Sequence, residues 1–264
     1  MTVSEPSRDE RKLITVASGK GGVGKTWFAA TLAHFLAREG RRVLLFDGDL
    51  GLANVDIQLG VTPSRDVGDV ISGESTIAEA VCSYDEEDFG RGRFDILAGR
   101  SGSGALGNVS RERLRELRRE LIAAAAAYDH VILDLAAGID PSVRTLSEHK
   151  GIVVTVMSPD PASLTDAYAF IKLTKQRDPE TDLRIVVNMA TSKREGERTY
   201  ESLRKVCQTF LKIDPPLAAI LRQDKRVVEA IRHQVPLLAR HPQAEAGEGI
   251  ATFAKLLHEN AAPA

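Results

Sequence analysis

Ala17-Ser-Gly19-Lys20-Gly21-Gly22-Val23-Gly24-Lys25-Thr26 decides how the rest of this chain is read. It satisfies G-x-x-x-x-G-K-[ST], follows an apolar run at Lys12–Ala17 and leads straight into a segment of helical periodicity, Trp27–Arg38. Glycines let successive backbone N–H groups turn inward around a phosphate, and the following helix N-terminus adds its partial positive charge. On this reading Lys25 bridges the β- and γ-phosphates of a nucleotide and Thr26 gives an oxygen to Mg2+. Gly19, Lys20, Gly21, Gly22, Val23, Gly24, Lys25, Thr26 and Trp27 are the candidate cofactor contacts. Lys20 is a second lysine in a loop that Lys25 and a ring of amides already serve, so the phosphate pattern alone does not explain it.

Outward from this loop, apolar runs recur at Arg42–Phe46, Phe94–Leu97, His130–Leu133, Ile152–Met157, Leu183–Asn188 and Leu217–Leu221. They are continuous rather than alternating, as in strands buried on both faces of a parallel sheet. Helix-length segments lie between most of them: Trp27–Arg38 with Phe28, Leu32, Phe35 and Leu36 on one face, Arg111–Ala127 with Leu114, Leu117 and Leu121, then Ser163–Gln176 and Glu195–Leu211. The alternation predicts an α/β fold: a doubly wound, mostly parallel sheet with helices on both faces. The expected organisation is a flexible N-terminal segment over 1–11, one domain over 12–242, and a C-terminal helix and tail over 243–264. Gly99–Gly104 reads as a flexible loop and Asn260–Ala264 as a frayed tail.

Composition narrows the function. The chain has 264 residues, 43% hydrophobic and 27% charged, which excludes disorder, collagen-like repeats and coiled coil as descriptions of the whole. Its 35 Lys+Arg against 37 Asp+Glu give a net charge of −2, so wholesale capture by nucleic acid or an anionic membrane is not expected. Cys82 and Cys207 stand apart, without the paired spacing of zinc, redox or iron–sulfur sites. The opening MTVSEPSRDERK lacks the apolar core of a secretory signal, and no apolar run is long enough to span a bilayer. A cytoplasmic protein is the expectation.

Carboxylates close the site. Arg42–Phe46 ends in Asp47-Gly48-Asp49, at the strand edge where open α/β sheets bind ligands. His130-Val-Ile-Leu-Asp134 has the form of a Walker B element, and its Asp can hold a magnesium-bound water. Thr26, Asp47 and Asp134 are the candidate metal residues, although Asp47 could instead fix the loop's shape.

The string KGGVGKT resembles the deviant Walker A motif of the MinD/ParA ATPases. That resemblance implies ATP and Mg2+ as cofactors and a homodimer in the ATP-bound state, with Lys20 reaching across to the partner's phosphates. It makes Lys20, Lys25 and Asp49 the catalytic candidates, Asp49 corresponding to a switch I aspartate that positions or deprotonates the attacking water. Asp134-Leu-Ala-Ala-Gly138 looks like switch II, D-x-[GP]-A-G, with Ala136 in place of Gly or Pro and Gly138 still able to offer an N–H to a γ-phosphate. Asn188 resembles the strand-terminal Asn that reads adenine, since an amide donates and accepts at once; a strand-end turn is the alternative. Leu221-Arg222-Gln223-Asp224 stands where the family has [VI]-P-x-D, so Asp224 either fixes the adenine loop or caps the helix Lys225–Gln234.

Two stretches, Leu44–Gly60 and Ser158–Lys172, resemble the flagellar number and placement regulators of this group, called FlhG or FleN. The resemblance implies control of flagellar assembly at the pole, with a flagellar assembly protein or transcription regulator as partner. The DQAxxLR motif many such regulators carry is absent from Met1–Arg11. They also end in a membrane-targeting helix; Gly249–Asn260 offers Ile250, Phe253, Ala254, Leu256 and Leu257 but only Lys255 as a firm cation, leaving either a docked terminal helix or a weak, ATP-dependent membrane contact. In Ser110–Glu120, three glutamates interleave with five arginines, which predicts i,i+4 pairing on a solvated face rather than nucleic-acid contact. The alternative functions are chromosome or plasmid partition, septum placement, and a nucleotide-locked interaction module with negligible turnover. Metal-cluster carriage is disfavoured by the missing cysteine pairs.

Overall fold

The computed structural model describes residues 8–86, 89–99 and 109–261, so residues 100–104 of the expected loop and 262–264 of the expected tail lie outside it. Its centre is an eight-stranded sheet: β1 (Leu13–Ser18), β2 (Arg42–Gly48), β3 (Cys82–Tyr84), β4 (Arg93–Leu97), β5 (His130–Ala137), β6 (Ile152–Met157), β7 (Asp182–Ala190) and β8 (Leu217–Arg222). The order is β3-β4-β2-β5-β1-β6-β7-β8. All neighbours are parallel except β3 against β4. Every apolar run named above is a strand. The edge strand β3 was not legible, being three residues long and half polar.

Both faces are covered, which is why β1 and β6 are buried at every position. On one face Ile14, Val16, Leu45, Ile132 and Val154 pack with α1 (Lys25–Arg38) and α11 (Glu245–Ala261). On the other, Leu44, Phe46, Val131 and Leu133 pack with Leu114, Leu117 and Leu121 of α5 (Arg111–Ala124), and Ile185 and Val187 with Leu203 of α8 (Lys193–Val206). Short helices α2 (Val55–Leu59), α3 (Val67–Ser72), α4 (Ile77–Ala80) and α6 (Pro141–Leu146), then α7 (Pro161–Arg177), α9 (Lys225–Arg232) and α10 (Leu237–Arg240), complete the fold. The capping boxes Asp66–Asp69 and Thr76–Glu79, which start α3 and α4, are signals the sequence offered and the periodicity missed.

Two expectations change, and one choice narrows. The C-terminal helix spans Glu245–Ala261 and is docked, with Ile250, Phe253, Ala254 and Leu257 buried and Phe253 edge-on to Phe28 at 5.4 Å. Its apolar side is thus spent on α1 and β8, and undocking it for a membrane would expose the apolar surface of α1 and β8 that it now covers to water. Of the N-terminal segment expected to be flexible, residues 1–7 lie outside the described residues, while Glu10–Lys12 form a 3-10 turn. That turn is tied down where the Lys150 N–H donates to Glu10 Oε1 and Lys12 Nζ to the Ala125 carbonyl. The i,i+4 pairing expected along α5 is replaced by Arg113 pairing with Glu116 and Glu120, while Arg113 also donates to the Val70 and Ile71 carbonyls. Arg118 instead leaves the helix for Glu148.

A buried histidine couples this core to pH. His149 lies behind β1; its Nδ1 accepts from the Gly151 N–H at 3.1 Å, so in the neutral ring Nε2 carries the proton and donates to Thr15 Oγ1 at 2.7 Å. Burial, aided by Arg118, pushes its pKa down to about 3 from 6.5. A histidine whose folded pKa is lowered stabilises fully above its unfolded pKa, and that stability drains as pH falls from 6.5 toward 3, by at most ~1.4 kcal/mol per pH unit. Urea midpoints measured across this window are expected to fall less steeply in His149→Gln than in the wild type; identical slopes would remove His149 as the cause.

Candidate nucleotide site

The phosphate loop is held from three sides. Gly22 and Gly24 adopt φ of 78° and 85°, left-handed values that side chains disfavour. A Cβ on Gly24 would strike Asn188 Nδ2, and one on Gly19 would strike the Asp166 carbonyl of α7. Ser18 Oγ donates to the Lys20 carbonyl at 2.6 Å. Gly24 is the N-cap of α1 without a side-chain cap, and the first helical bond runs from Phe28 N to Gly24 O. The N–H groups of Lys25, Thr26 and Trp27 therefore have no partner within the helix, the arrangement that receives an anion.

Opposite the loop, parallel pairing sets Asp47 of β2 directly beside Asp134 of β5 at the C-terminal edge of the sheet. Asp134 is fully buried, and desolvation, reinforced by Asp47, raises its pKa to about 8, although a Thr26 hydrogen bond and Lys25 oppose the rise. Its Oδ1 has no hydrogen-bond partner. Burial lowers the pKa of Lys25, against the pull of Asp134 and Asp49. An unpartnered carboxylate oxygen beside a threonine hydroxyl and a half-buried lysine suits a hard cation such as Mg2+, which prefers oxygen ligands. Thr26 and Asp134 are thus the residues that would hold Mg2+, which on binding would neutralise phosphate charge.

Asp47 serves the other role open to it. Oδ1 accepts from the Asp49 N–H at 3.2 Å, and Oδ2 accepts from Asn54 and Val55 at 3.0 Å each. Both oxygens shape the loop and cap α2, so in the ligand-free structure Asp47 fills the loop-shaping role and holds the backbone of Asp49. Burial still raises its pKa to about 6. Asp49 itself is half-buried, accepts from the Leu52 N–H at 3.0 Å and faces Lys25 electrostatically.

The remaining candidates divide. Lys20 pairs with Asp160, the N-cap of α7, in a half-exposed ion pair. Trp27 turns its indole into the core, 5% exposed, so only its backbone N–H can serve a phosphate. Asn188 Nδ2 donates to the Val23 carbonyl at 2.8 Å and its Oδ1 accepts from Met189 N, bracing the loop from β7. One donor and one acceptor of that amide remain for a base edge. Asp224 caps α9 through the Arg226 N–H at 2.9 Å and pairs with the Arg226 guanidinium, which is the capping alternative. Gly138 does not offer a free N–H: with φ 99° it donates to the Ser18 carbonyl at 2.8 Å, because β5 continues through Ala136 and Ala137 alongside β1. Val23 and Asp166, which lock Asn188 and Gly19, carried no signal in the sequence as bracing groups.

A glycine loop opening a helix, with a lysine, a hydroxyl and a buried aspartate at the C-terminal edge of a parallel sheet, defines a P-loop nucleotide-binding protein. Comparison with known proteins assigns the family: residues 14–237 match the CobQ/CobB/MinD/ParA nucleotide binding domain, and the chain belongs to it. It is 35% identical over 235 residues to the antiactivator FleN of Pseudomonas aeruginosa, covering 89% of this chain and 82% of that protein. It is 32% identical over 202 residues to the flagellum site-determining protein YlxH of Helicobacter pylori, covering 76% and 66%. The septum site-determining protein MinD of Pyrococcus horikoshii, solved with Mg-ADP, superposes with a TM-score of 0.77 at 24% identity, covering 93% of this chain and 95% of that one.

Asp134 should trade stability for binding. Its raised pKa means that folding loses stability as pH rises from the unfolded carboxylate range through about 8. In the ligand-free protein at neutral pH, Asp134→Asn is expected to gain about 1–2 kcal/mol in urea unfolding while losing Mg2+-dependent nucleotide affinity in calorimetry. Loss of stability together with loss of binding would contradict this placement.

Proposed function

We propose that this chain is an ATP-dependent dimerising switch that hydrolyses ATP and regulates flagellar number and placement. The observation that carries the nucleotide reading is the cluster of buried Asp134 with half-buried Lys25 and Thr26 beneath a loop whose glycines take left-handed conformations. The flagellar reading is supported by the similarity to FleN and YlxH, both named for flagellar or antiactivator roles. Partition or septum placement is the alternative, supported by 29% identity to MinD of Bacillus subtilis.

In this reading the loop N–H groups and Lys25 hold the β- and γ-phosphates, and Asn188 keeps the loop closed while its free amide valences meet the base. Asp49, steered by the Asp47 carboxylate and the Leu52 N–H, orients water in line with the bond to be broken. Lys20 is available for a second copy: its pair with Asp160 is half exposed, and such pairs contribute ~0–1 kcal/mol, less than a phosphate contact offers. ATP would therefore act as a ligand with different affinities for the single and paired states. Among the described residues no helix is long and apolar enough to cross a membrane, and the docked α11 favours contact with a protein partner over the lipid contact held open above.

Light scattering with Mg·ATP separates the roles. Lys25→Ala is expected to lose nucleotide binding and dimerisation together, Lys20→Ala to bind ATP yet stay monomeric, and Asp49→Ala to bind ATP and persist as a dimer without turnover. Normal dimerisation by Lys20→Ala would overturn the contact in trans. Flagella counted in a deletion strain test the cellular role: unchanged numbers alongside chromosome loss would favour partition.

A further inference from the structure

Helix α5 looks balanced in sequence but is sorted in space. Arg111, Arg115 and Arg118 fall at i, i+4 and i+7 on one stripe, whereas Glu112, Glu116 and Glu120 lie on another, where Arg113 gathers two of them. The arginine stripe faces Arg144 of α6 and Arg177 at the end of α7. Burial, and then Arg144, Arg118, Arg115 and Arg111, press the Arg177 pKa down, so these five guanidiniums share one field. Glu148 stands among them and pairs with Arg118 at 2.7 Å and with Arg177, while Arg115 has only the long, exposed contact with Glu112 at 3.9 Å. The nearby Glu10 and Asp178 are engaged by the backbone and side chain of Lys150. Arg118 Nε is buried with no hydrogen-bond partner, and Arg111 and Arg144 are exposed with none among the described residues.

Arg144 and Arg177 of this cluster line a cavity of about 320 Å³ between α6 and α7, together with Lys150 and the already paired Glu10, Glu148 and Asp178, and the α5 arginines lie beside it. Ile139, Phe170 and Leu173 give it an apolar wall. Ile139 is 45% exposed and sits directly after Gly138, at the end of the strand that carries Asp134. A guanidinium rim over an apolar slot matches a carboxylate-rich chain that also offers an aliphatic side chain. A nucleic-acid backbone would use the rim but leave the slot unfilled, and the chain's net charge of −2 gives it no long-range attraction to DNA.

The geometry points to a docking site for an acidic segment of a protein partner, its carboxylates on Arg115, Arg144 and Arg177 and an apolar side chain in the slot between α6 and α7. The site lies outside the nucleotide cluster and is independent of the ATPase reading. Because Ile139 follows the Asp134 strand by two residues, it also supplies a short path by which an occupied slot and an occupied nucleotide site would influence each other.

Fluorescence anisotropy on the full chain tests this with a fluorescein-labelled peptide of repeated Glu-Glu-Leu units. Saturable binding is expected, weakened by added salt. It should fall by about tenfold or more in Arg144→Glu and Arg115→Glu, with nucleotide affinity and melting temperature unchanged as controls of folding. A Glu-Glu-Gly peptide should bind more weakly, showing that the slot is filled, and a Gln-Gln-Leu peptide should not bind. No binding of the Glu-Glu-Leu peptide, or binding indifferent to both variants, would overturn the proposal. Labelled duplex DNA bound through the same arginines while the peptide fails would also overturn it, in favour of a nucleic-acid face.

Discussion

A buried carboxylate without enough partners organises this molecule. Asp134 sits at the end of β5, in register with Asp47 on β2, inside a sheet whose faces are both covered. Two ionised carboxylates in such a place repel each other and lack water, and the fold answers each differently. Asp47 receives three backbone N–H groups from the loop that follows it. Asp134 has Thr26, the nearby Lys25 and one oxygen with no partner. The ligand-free protein holds a site strained in charge rather than in geometry, and a cation bound there with phosphates would relieve that strain.

The bracing around the site follows from the same need for fixed geometry. Asn188 reaches from β7 to the Val23 carbonyl, and α7 presses its Asp166 carbonyl against Gly19. The Gly138 N–H stitches the end of β5 to Ser18. Each contact ties the phosphate loop to a different strand or helix, so a ligand that moves the loop would be felt at β5, β7 and α7 together. The weak, exposed Lys20–Asp160 pair is the exception, and it lies where a change of partner costs least.

Much of this was legible in the sequence because its signals are local. Continuous apolar runs marked every long strand, and the glycine–lysine–threonine pattern marked the loop and its helix. What stayed hidden was long-range. Whether Asp47 binds metal or backbone depends on Asn54 and Val55 folding back onto it, and whether Asp224 touches a base or caps α9 depends on the Arg226 side chain. Ala136 is a departure from the switch II pattern, but only the pairing of Ala137 with Ser18 shows its result, a strand prolonged past Asp134. Likewise, the alternating charges of α5 suggested self-neutralisation, while helix geometry sorts them into separate stripes and sends Arg118 to Glu148.

The central claim is that Asp134 is incompletely satisfied until Mg2+ and a nucleotide arrive together. Thermal unfolding of the wild-type chain in four conditions tests it most directly: no ligand, Mg2+ alone, a non-hydrolysable ATP analogue with EDTA, and the analogue with Mg2+. The expected result is a rise in Tm with both ligands that clearly exceeds the sum of the rises with each alone. An equal rise with the analogue in EDTA, or no rise in any condition, would contradict the account.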